Sequence, residues 1–442
     1  MPMKKLYLRT FGCQMNVADS ELMAQVLAGE YVLTQRAEDA DLYLINTCAI
    51  RRKAEEKVLS LLGSLKGLKK RRPQLIVGVG GCVAQQEGER LLKVAPHLDL
   101  VFGTHGIYRL PEMVRAAAAG RRVVEVDLEQ GFPPLPQRQW SPKPVKALVT
   151  IMQGCDNYCS FCVVPYVRGR EESRPPAAVA AEVADFLAAG GKEVTLLGQN
   201  VNSYGRGLPE PITFADLLRR VAALPGLARL RFATSHPRDL SADLLSLFGD
   251  LPPLCEHLHL PAQSGSNRIL EAMNRGYTRE EYLDKVARLR QSCPGIHIST
   301  DLIVGFPSET EADFVQTLDL MAKAAFAQAF SFKYSPRPQT RAATLPDQVP
   351  EAIKAERLAR LQALQDELTM KAHGRLVGHT QEVLVEGLSK RTPTLLCGRL
   401  RTNQVVNFNG PRHLKGRPAR VLLTEAHPHS LKGRWVEDPP TP

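Results

Sequence analysis

Apolar residues in this chain fall into two alternating kinds of block: short continuous runs, and longer stretches in which apolar positions recur every three or four residues. Runs of the first kind read as buried strands, and the second periodicity reads as helices with one face on a core. Up to about residue 127 the runs Leu6 to Arg9, Leu42 to Ile45 and Leu75 to Val79 alternate with helix-like stretches from about Ser20, a candidate N-cap, and from about Ala54. Strand and helix in alternation predict an open parallel α/β sheet. The alternation resumes at Val145. Its predicted strands are Val145 to Ile151, Val194 to Leu197, Arg229 to Phe232, His257 to Leu260, His297 to Val304 and Phe330 to Tyr334. Helices are predicted over Thr213 to Leu224, Arg279 to Gln291, Glu309 to Ala324 and Pro350 to about Ala372. Six βα units predict a curved, partly open barrel in place of the closed eightfold one. Beyond Gly374 the runs shorten to Thr380–Val385, Leu395–Leu400, Val405–Phe408 and Ala419–Thr424, broken by Gly, Asn and Pro, which predicts a small antiparallel barrel or sandwich.

Between the first two regions, residues 129–144 hold five prolines in sixteen positions and read as an extended linker. The expected division is therefore 1–127, a linker at 128–144, 145–372 and 374–437.

Six of the nine cysteines form two groups of three. Cys155, Cys159 and Cys162 have C-x3-C-x2-C spacing just after a predicted strand. Three closely set thiolates hold three irons of a [4Fe-4S] cluster and leave the fourth iron open. An open metal position is where a small molecule binds and reacts. The amino and carboxylate groups of S-adenosylmethionine suit that iron, and its sulfonium then accepts an electron to release a 5′-deoxyadenosyl radical. Zinc ribbons use C-x2-C pairs in twos and thioredoxin-like sites use one pair, so neither accounts for the third cysteine. The second group, Cys13, Cys48 and Cys82, follows three successive predicted strands within a few residues. Ligands of open parallel sheets bind outside the carboxyl ends of the strands, so these three are expected to converge on a second cluster. Gly78-Val79-Gly80-Gly81 is no dinucleotide fingerprint and is read as letting the backbone approach that cluster. Cys255, Cys293 and Cys397 stand alone and read as structural.

The formal net charge is +11, and the last 68 residues carry 11 Lys plus Arg against 5 Asp plus Glu. An excess concentrated in one small module predicts an anionic partner, most simply RNA contacted through its backbone. Detaching that module is expected to weaken RNA binding and leave S-adenosylmethionine cleavage largely intact. No stretch approaches the roughly 18 apolar residues of a membrane span and no apolar run follows the charged N-terminus, so a cytoplasmic location without membrane attachment is expected.

The strings Thr10-Phe11-Gly12-Cys13-Gln14-Met15-Asn16, Asn46-Thr47-Cys48, Gly80-Gly81-Cys82, Gly154-Cys155 to Pro165, Leu197-Gly198-Gln199-Asn200, Gln263-Ser264-Gly265-Ser266 and Asp301 to Pro307 together resemble the radical-SAM methylthiotransferases over nearly the whole chain. Cys162-Val163-Val164-Pro165-Tyr166 with Arg168-Gly169, Thr234-Ser235-His236-Pro237 and Val405-Val406-Asn407-Phe408 resemble the MiaB branch. That branch converts isopentenyl-adenosine beside the tRNA anticodon to its 2-methylthio derivative. The resemblance implies an N-terminal methylthiotransferase domain, a partial (βα)6 radical-SAM barrel and a C-terminal TRAM barrel. It implies two [4Fe-4S] clusters, one on Cys155, Cys159 and Cys162 that cleaves S-adenosylmethionine, and an auxiliary one on Cys13, Cys48 and Cys82 that handles sulfur. A second S-adenosylmethionine would supply the methyl group. Phe161 is placed near the adenosyl group. Implied partners are the tRNA anticodon stem-loop, a low-potential electron donor of flavodoxin or ferredoxin type, and a donor of sulfur or clusters. Two strings depart from the branch: Arg170 stands where it usually has Glu, and Gln339 where it has a turn glycine, which suggests a slightly different loop.

Gln199, Asn200, Gln263 and Asp301 sit just past predicted strand ends, on the rim of the barrel, and are the candidates for binding S-adenosylmethionine. His257 and His259 alternate along one strand and read as satisfied barrel histidines. Two other readings compete. One is a methylthiotransferase acting on threonylcarbamoyl-adenosine of tRNA or on a ribosomal-protein aspartate; the other is a non-enzymatic RNA-binding protein with structural zinc.

Overall fold

The computed structural model of the chain describes residues 3–49, 52–128, 131–133, 138, 140 and 144–437, with residues 52–56 by backbone alone. The N-terminal region is a six-stranded sheet of β1 (Lys4–Thr10), β2 (Tyr31–Leu33), β3 (Leu42–Thr47), β4 (Ile76–Gly81), β5 (Leu100–Phe102) and β6 (Val123–Glu125). All five pairings are parallel, in the order β2-β1-β3-β4-β5-β6. Separate apolar clusters cover its two faces, one around Leu42, Leu44 and Phe102 and one around Ile45, Val77 and Val79. The strand order reverses between β1 and β3, so the crevice at that switch point lies between the loops carrying Cys13 and Cys48.

Two sequence expectations change here. The first helix spans Gln14–Leu27 and starts immediately after Cys13, so Ser20 is interior and not an N-cap. Its hydroxyl is 2.7 Å from Thr10 Oγ1 and accepts from Asn46 Nδ2 at 2.9 Å, bonds to neighbouring elements that a local pattern does not display. Of the β4 glycines only Gly81, with φ 90° and a would-be Cβ 2.3 Å from Asn46 Oδ1, opens the backbone toward the loop that carries Cys48. A Cβ on Gly80 would lie 2.3 Å from the Phe102 ring and one on Gly78 2.7 Å from Leu44 and Leu100, so they accommodate neighbouring strands.

After the sheet come β7 (Lys146–Thr150), a short antiparallel pair β8 (Met152–Gln153) and β9 (Glu172–Ser173), then β10 (Glu193–Leu197), β11 (Arg229–Phe232), β12 (His257–His259), β13 (His297–Val304) and β14 (Gln328–Lys333). Parallel arcs β7-β10-β11 and β12-β13-β14 meet through a parallel bridge between Leu230 and Leu254. The six expected strands are all present, and they form a half-open barrel with β7 and β14 as its edges. Alternate residues of β10 and β11 pack on the outer helices, leaving Glu193, Arg229 and Arg231 on the other face.

Most of the expected linker, 128–144, lies outside the described residues. Within it, the Arg138 guanidinium lies 3.9 Å over the Trp140 ring and bonds Glu21 Oε2 at 2.5 Å, while Trp140 packs on Phe186 of the barrel. At the other departure from the family strings, Gln339 has φ 67°, so the left-handed turn is kept without glycine. Left-handed backbone costs a non-glycine residue roughly 1–2 kcal/mol. Gln339→Gly is accordingly expected to stabilise the protein by about 1 kcal/mol, read as a higher urea midpoint; an unchanged or lower midpoint refutes it.

The C-terminal region is a closed barrel of β15 (Thr380–Leu388), β16 (Leu396–Leu400), β17 (Val405–Asn409), β18 (Pro418–His427) and β19 (Ser430–Trp435). Strand β19 has only half-hidden alternation, Ser-Leu-Lys-Gly-Arg-Trp, and was not apparent in the sequence. It closes the barrel by pairing in parallel with β17, beside four antiparallel pairs. This module is docked on the starts of the parallel barrel strands. Arg229, 1% exposed, donates to Arg399 O at 2.7 Å and Glu382 Oε1 at 2.8 Å. Arg231 donates to Arg401 O and Leu400 O at 2.8 Å each, and Arg401 grips Glu256 through Nε and Nη2. Among the described residues no helix is long and apolar enough to cross a membrane.

Candidate active site

The auxiliary cysteines are assembled by close backbone approach. Gly12 has φ 135°, and a Cβ there would lie 2.4 Å from Cys48 Cβ, so only glycine lets the loop after β1 meet the loop after β3. Asn16 then ties the two together. Its Nδ2 donates to Asn46 Oδ1 at 3.0 Å and Thr47 O at 2.9 Å, and its Oδ1 accepts from the Cys13 thiol at 3.2 Å. A hydrogen bond from Cys48 holds the Cys13 thiol down to about 6, with burial working against it and Arg168 helping. Cys82 starts the helix Cys82–Glu87, is fully enclosed, and has its thiol pushed up by burial. Cys13, Cys48 and Cys82 are thus mutual neighbours.

The other triad lies on the loop between β8 and the short helix Val164–Arg168. Burial drives the Cys155 and Cys162 thiols up to about 12. The counter-charge is Arg275, which donates to Cys159 Sγ at 3.3 Å and to Pro261 O at 3.0 Å. Ser160 N and O bond Met273 O and Ala342 N, fixing the loop to the rim on the β12–β14 side. Phe161 packs into an apolar cluster with Ile269, Met273, Phe306 and Tyr334.

The two triads share one interdomain region. Cys82, Val83 and Ala49 pack directly on Val163 and Val167, the residues that follow Cys162. Met15 and Ala18 pack on Leu197, with Cys13, Leu148 and Ala233 alongside, so the start of the first helix lies over the barrel mouth. Thr104 Oγ1 donates to Val167 O at 2.8 Å and Arg168 bonds Asp19. Among the described residues no three His, Cys, Asp or Glu side chains gather as a single metal ion requires. A cubane offers each thiolate its own iron, so its ligands stand further apart than those of the tetrahedral zinc of the binding-module reading.

Beside Cys155, Cys159 and Cys162 the rim carries polar atoms that are buried and have no protein hydrogen-bond partner. They are both amide atoms of Gln199, Asn200 Oδ1, Gln263 Oε1, Gln153 Nε2, Asn202 Nδ2, Ser235 Oγ and His236 Nε2. Buried polar atoms are normally satisfied, so such a ring fits a polar ligand bound there. Asn200 Nδ2 donates to Asp239 at 2.7 Å, which leaves its oxygen for that ligand. His236 is held neutral, down to about 2, by burial and then Arg275. Asp301 does not lie past a strand end as expected but inside β13, because the apolar run continues through it to Val304; its carbonyl accepts from Gln263 N at 2.8 Å and its carboxylate faces His259 at 3.5 Å, partly exposed in the barrel interior. His257 and His259 both share the Ser299 hydroxyl, at 3.2 and 3.0 Å, so they are satisfied within the barrel as expected. Glu171, on the string that departs from the branch, points inward near Ser203 while Arg170 points out to Asp156. Arg168, Asp19 and Arg275 are not legible in the sequence, because their partners are tens to more than a hundred residues away, and neither is Gln153, whose burial at the rim is set by the fold.

Residues 5–103 match the family described as Uncharacterized protein family UPF0004, residues 149–321 the Radical SAM superfamily, and residues 374–436 the TRAM domain. The chain is 54% identical over 434 residues to the tRNA-2-methylthio-N(6)-dimethylallyladenosine synthase of Geobacter metallireducens, covering 97% of this chain and 98% of that one. It is 50% identical over 441 residues to the protein of that name from Moorella thermoacetica, covering 98% and 99%. Among solved structures, the radical S-adenosylmethionine methyltransferase TsrM of Kitasatospora setae with cobalamin and a [4Fe-4S] cluster bound superposes with TM-score 0.56 at 14% identity, over 77% of each chain. The cobalamin-dependent radical enzyme OxsB superposes with TM-score 0.52 at 14% identity, over 84% of this chain and 56% of that one. At these identities the two structures establish the fold alone.

Proposed function

The chain belongs to the tRNA-2-methylthio-N(6)-dimethylallyladenosine synthase family of radical-SAM methylthiotransferases, and from that premise we propose that it adds a methylthio group to C2 of N6-isopentenyl-adenosine next to the tRNA anticodon. The observation that carries the reading is the meeting of two cysteine triads in one interdomain region, joined by the short helix that follows Cys162. When bound, two [4Fe-4S] clusters and S-adenosylmethionine supply a carbon radical, a sulfur atom and a methyl group, which an aromatic C–H with neither an acidic proton nor a leaving group requires.

The protein's residues hold and orient those groups. Cys155, Cys159 and Cys162 are assigned to the cluster that binds S-adenosylmethionine, with Arg275 balancing the charge of Cys159. Cys13, Cys48 and Cys82 are assigned to the auxiliary cluster. Gln199, Asn200 and Gln263 are assigned to S-adenosylmethionine, supported by their unpartnered buried atoms, and Phe161 shields the loop beside it. Asp301, inside β13 and facing His259, has no such unpartnered atom to support its assignment. Phe330 and Phe332 on the open edge strand β14 are 40% and 37% exposed, and Phe330 meets His259 edge to face at 6.0 Å. RNA bases splayed from a loop stack on such faces, and these two rings are assigned to the adenine. The working division is 1–127 for the auxiliary domain, 128–144 for the linker, 145–372 for the barrel and 374–437 for the TRAM module. The basic TRAM module favours the anticodon stem-loop, and the reaction calls for a low-potential electron donor and a source of sulfur.

The docking of the TRAM module revises one expectation. Removing residues 374–442 strips from Arg229 and Arg231 every hydrogen bond they make to the C-terminal barrel, leaving two buried cations to share Glu193, and opens the barrel floor, so truncation is expected to disturb S-adenosylmethionine cleavage as well as RNA binding. The reading itself is tested by nucleoside analysis of tRNA from a strain lacking the gene. Accumulation of isopentenyl-adenosine with loss of its methylthio derivative is expected. Retention of that derivative, with a threonylcarbamoyl-adenosine product lost instead, refutes the substrate assignment.

A further inference from the structure

We propose that Asp19 and Arg168 form a positioning pair for the auxiliary triad: Asp19 aims the Arg168 guanidinium at Cys82 and Cys13, where its fixed positive charge steadies the thiolates and raises the reduction potential of the cluster they bind. The inference rests on the assignment of Cys13, Cys48 and Cys82 to that cluster.

Arg168 ends the short helix that begins after Cys162, and Asp19 lies on the helix that begins after Cys13. They are 149 residues apart in sequence and 2.5 Å apart in space, with side chains 6% and 10% exposed. The helix end is fixed by the bond from Thr104 to Val167 O, so the guanidinium has little freedom to swing away. Val167, the residue before Arg168, packs on Cys82, and Ala18, the residue before Asp19, packs beside Cys13, so the buried pair lies next to both cysteines, where the guanidinium charge opposes the burial that makes the Cys82 thiolate costly.

A purely architectural role accounts poorly for charge at this position. Removing two ions from water costs several kcal/mol each, so a buried pair is often no more stabilising than apolar packing of the same size. Apolar packing already joins the domains here, through Val163 and Val167 against Ala49, Cys82 and Val83. What apolar contact does not provide is a cation in a low-dielectric site beside three thiolates. A cluster gains a negative charge on reduction, so a neighbouring cation stabilises the reduced state more than the oxidised one. Net charge and hydrogen bonds to sulfur are established determinants of cluster potential. The same short helix therefore links one triad, through Cys162, to the electrostatics of the other.

The test uses full-length, anaerobically reconstituted protein with Cys155, Cys159 and Cys162 replaced by alanine, so that only auxiliary-cluster iron is observed, and titrates it by electron paramagnetic resonance against solution potential. Arg168→Gln and the neutral pair Asp19→Asn with Arg168→Gln are expected to shift the midpoint to more negative potential. Arg168→Lys is expected to stay near the parent. An unchanged midpoint in the glutamine variants, or a shift in Arg168→Lys as large as in Arg168→Gln, overturns the proposal. If the glutamine variants lose iron, retention in Arg168→Lys supports the role of charge, and equal loss in both overturns it. Cys13→Ala in the same background is the separate check on the cluster assignment: iron that survives this change refutes the assignment, whatever Arg168 does.

Discussion

Cys159→Ala protein is expected to release no 5′-deoxyadenosine above the uncatalysed background, whereas Cys13→Ala protein is expected to keep cleaving S-adenosylmethionine and to install no sulfur. The asymmetry follows from the geometry. Cys159 lies in the loop pinned to the rim by Ser160 and faced by Arg275, on the rim that carries the unpartnered amide of Gln199 and Oε1 of Gln263. Cys13 lies across the interdomain contact, in the network of Asn16, Asn46 and Thr47. Since the cofactors carry the chemistry, losing a ligand is expected to remove a whole step and not merely slow it. Each variant is expected to bind roughly half the iron of the parent. Chromatography of 5′-deoxyadenosine and of methylthiolated nucleoside, beside an iron assay, separates the two effects. Sulfur insertion by Cys13→Ala protein that retains only the first cluster would sink the division of labour.

Arg357→Ala is expected to lower stability by about 3–5 kcal/mol near neutral pH, the usual consequence of stranding one member of a buried pair. Arg357 Nη1 donates to Glu309 Oε1 at 2.9 Å, and the two side chains are 6% and 4% exposed. Glu309 Oε2 in turn accepts from Gly305 N at 2.8 Å, so the pair braces the loop after β13 at the rim. Burial already raises the Glu309 carboxyl above its ordinary range despite the help of Arg357, and removing the cation raises it further. The sign follows from that direction. A raised carboxyl is least costly to bury when protonated, so the deficit of the variant is expected to shrink as pH falls through the folded-state value and to be full above it. Urea midpoints at several pH values measure this, and Glu309→Gln added to Arg357→Ala is expected to remove the pH dependence. A deficit below about 1 kcal/mol that is flat with pH would place the pair with exposed ones of little consequence.

Much of the framework was legible because it is local. Three strands of the sheet, β1, β3 and β4, and the six barrel strands appear as apolar runs of the right length, whereas the three-residue strands β2, β5 and β6 are too short to show as such runs; the spacing of Cys155, Cys159 and Cys162 is a short-range signal. The convergence of Cys13, Cys48 and Cys82 followed from a topological rule about strand ends, which the switch point between β1 and β3 sharpens. Where local reasoning failed, a neighbour distant in sequence had changed a residue's role. Ser20 bonds Thr10 and Asn46 instead of capping a helix, and Gly78 and Gly80 of β4 make room for Leu44, Leu100 and Phe102.

Taken by itself, the sequence determined the order of the three regions, the two cysteine triads and the family, because periodicity and spacing are properties of adjacent residues. Only the tertiary structure decided what stands beside each thiolate and how the C-terminal barrel sits on its neighbour. Arg275 reaches Cys159 from 116 residues away, Arg168 reaches Asp19 from 149, and Arg229 reaches Arg399 from 170. Charges buried at such separations are placed by the packing of whole domains, and no window along the chain contains both members of the pair.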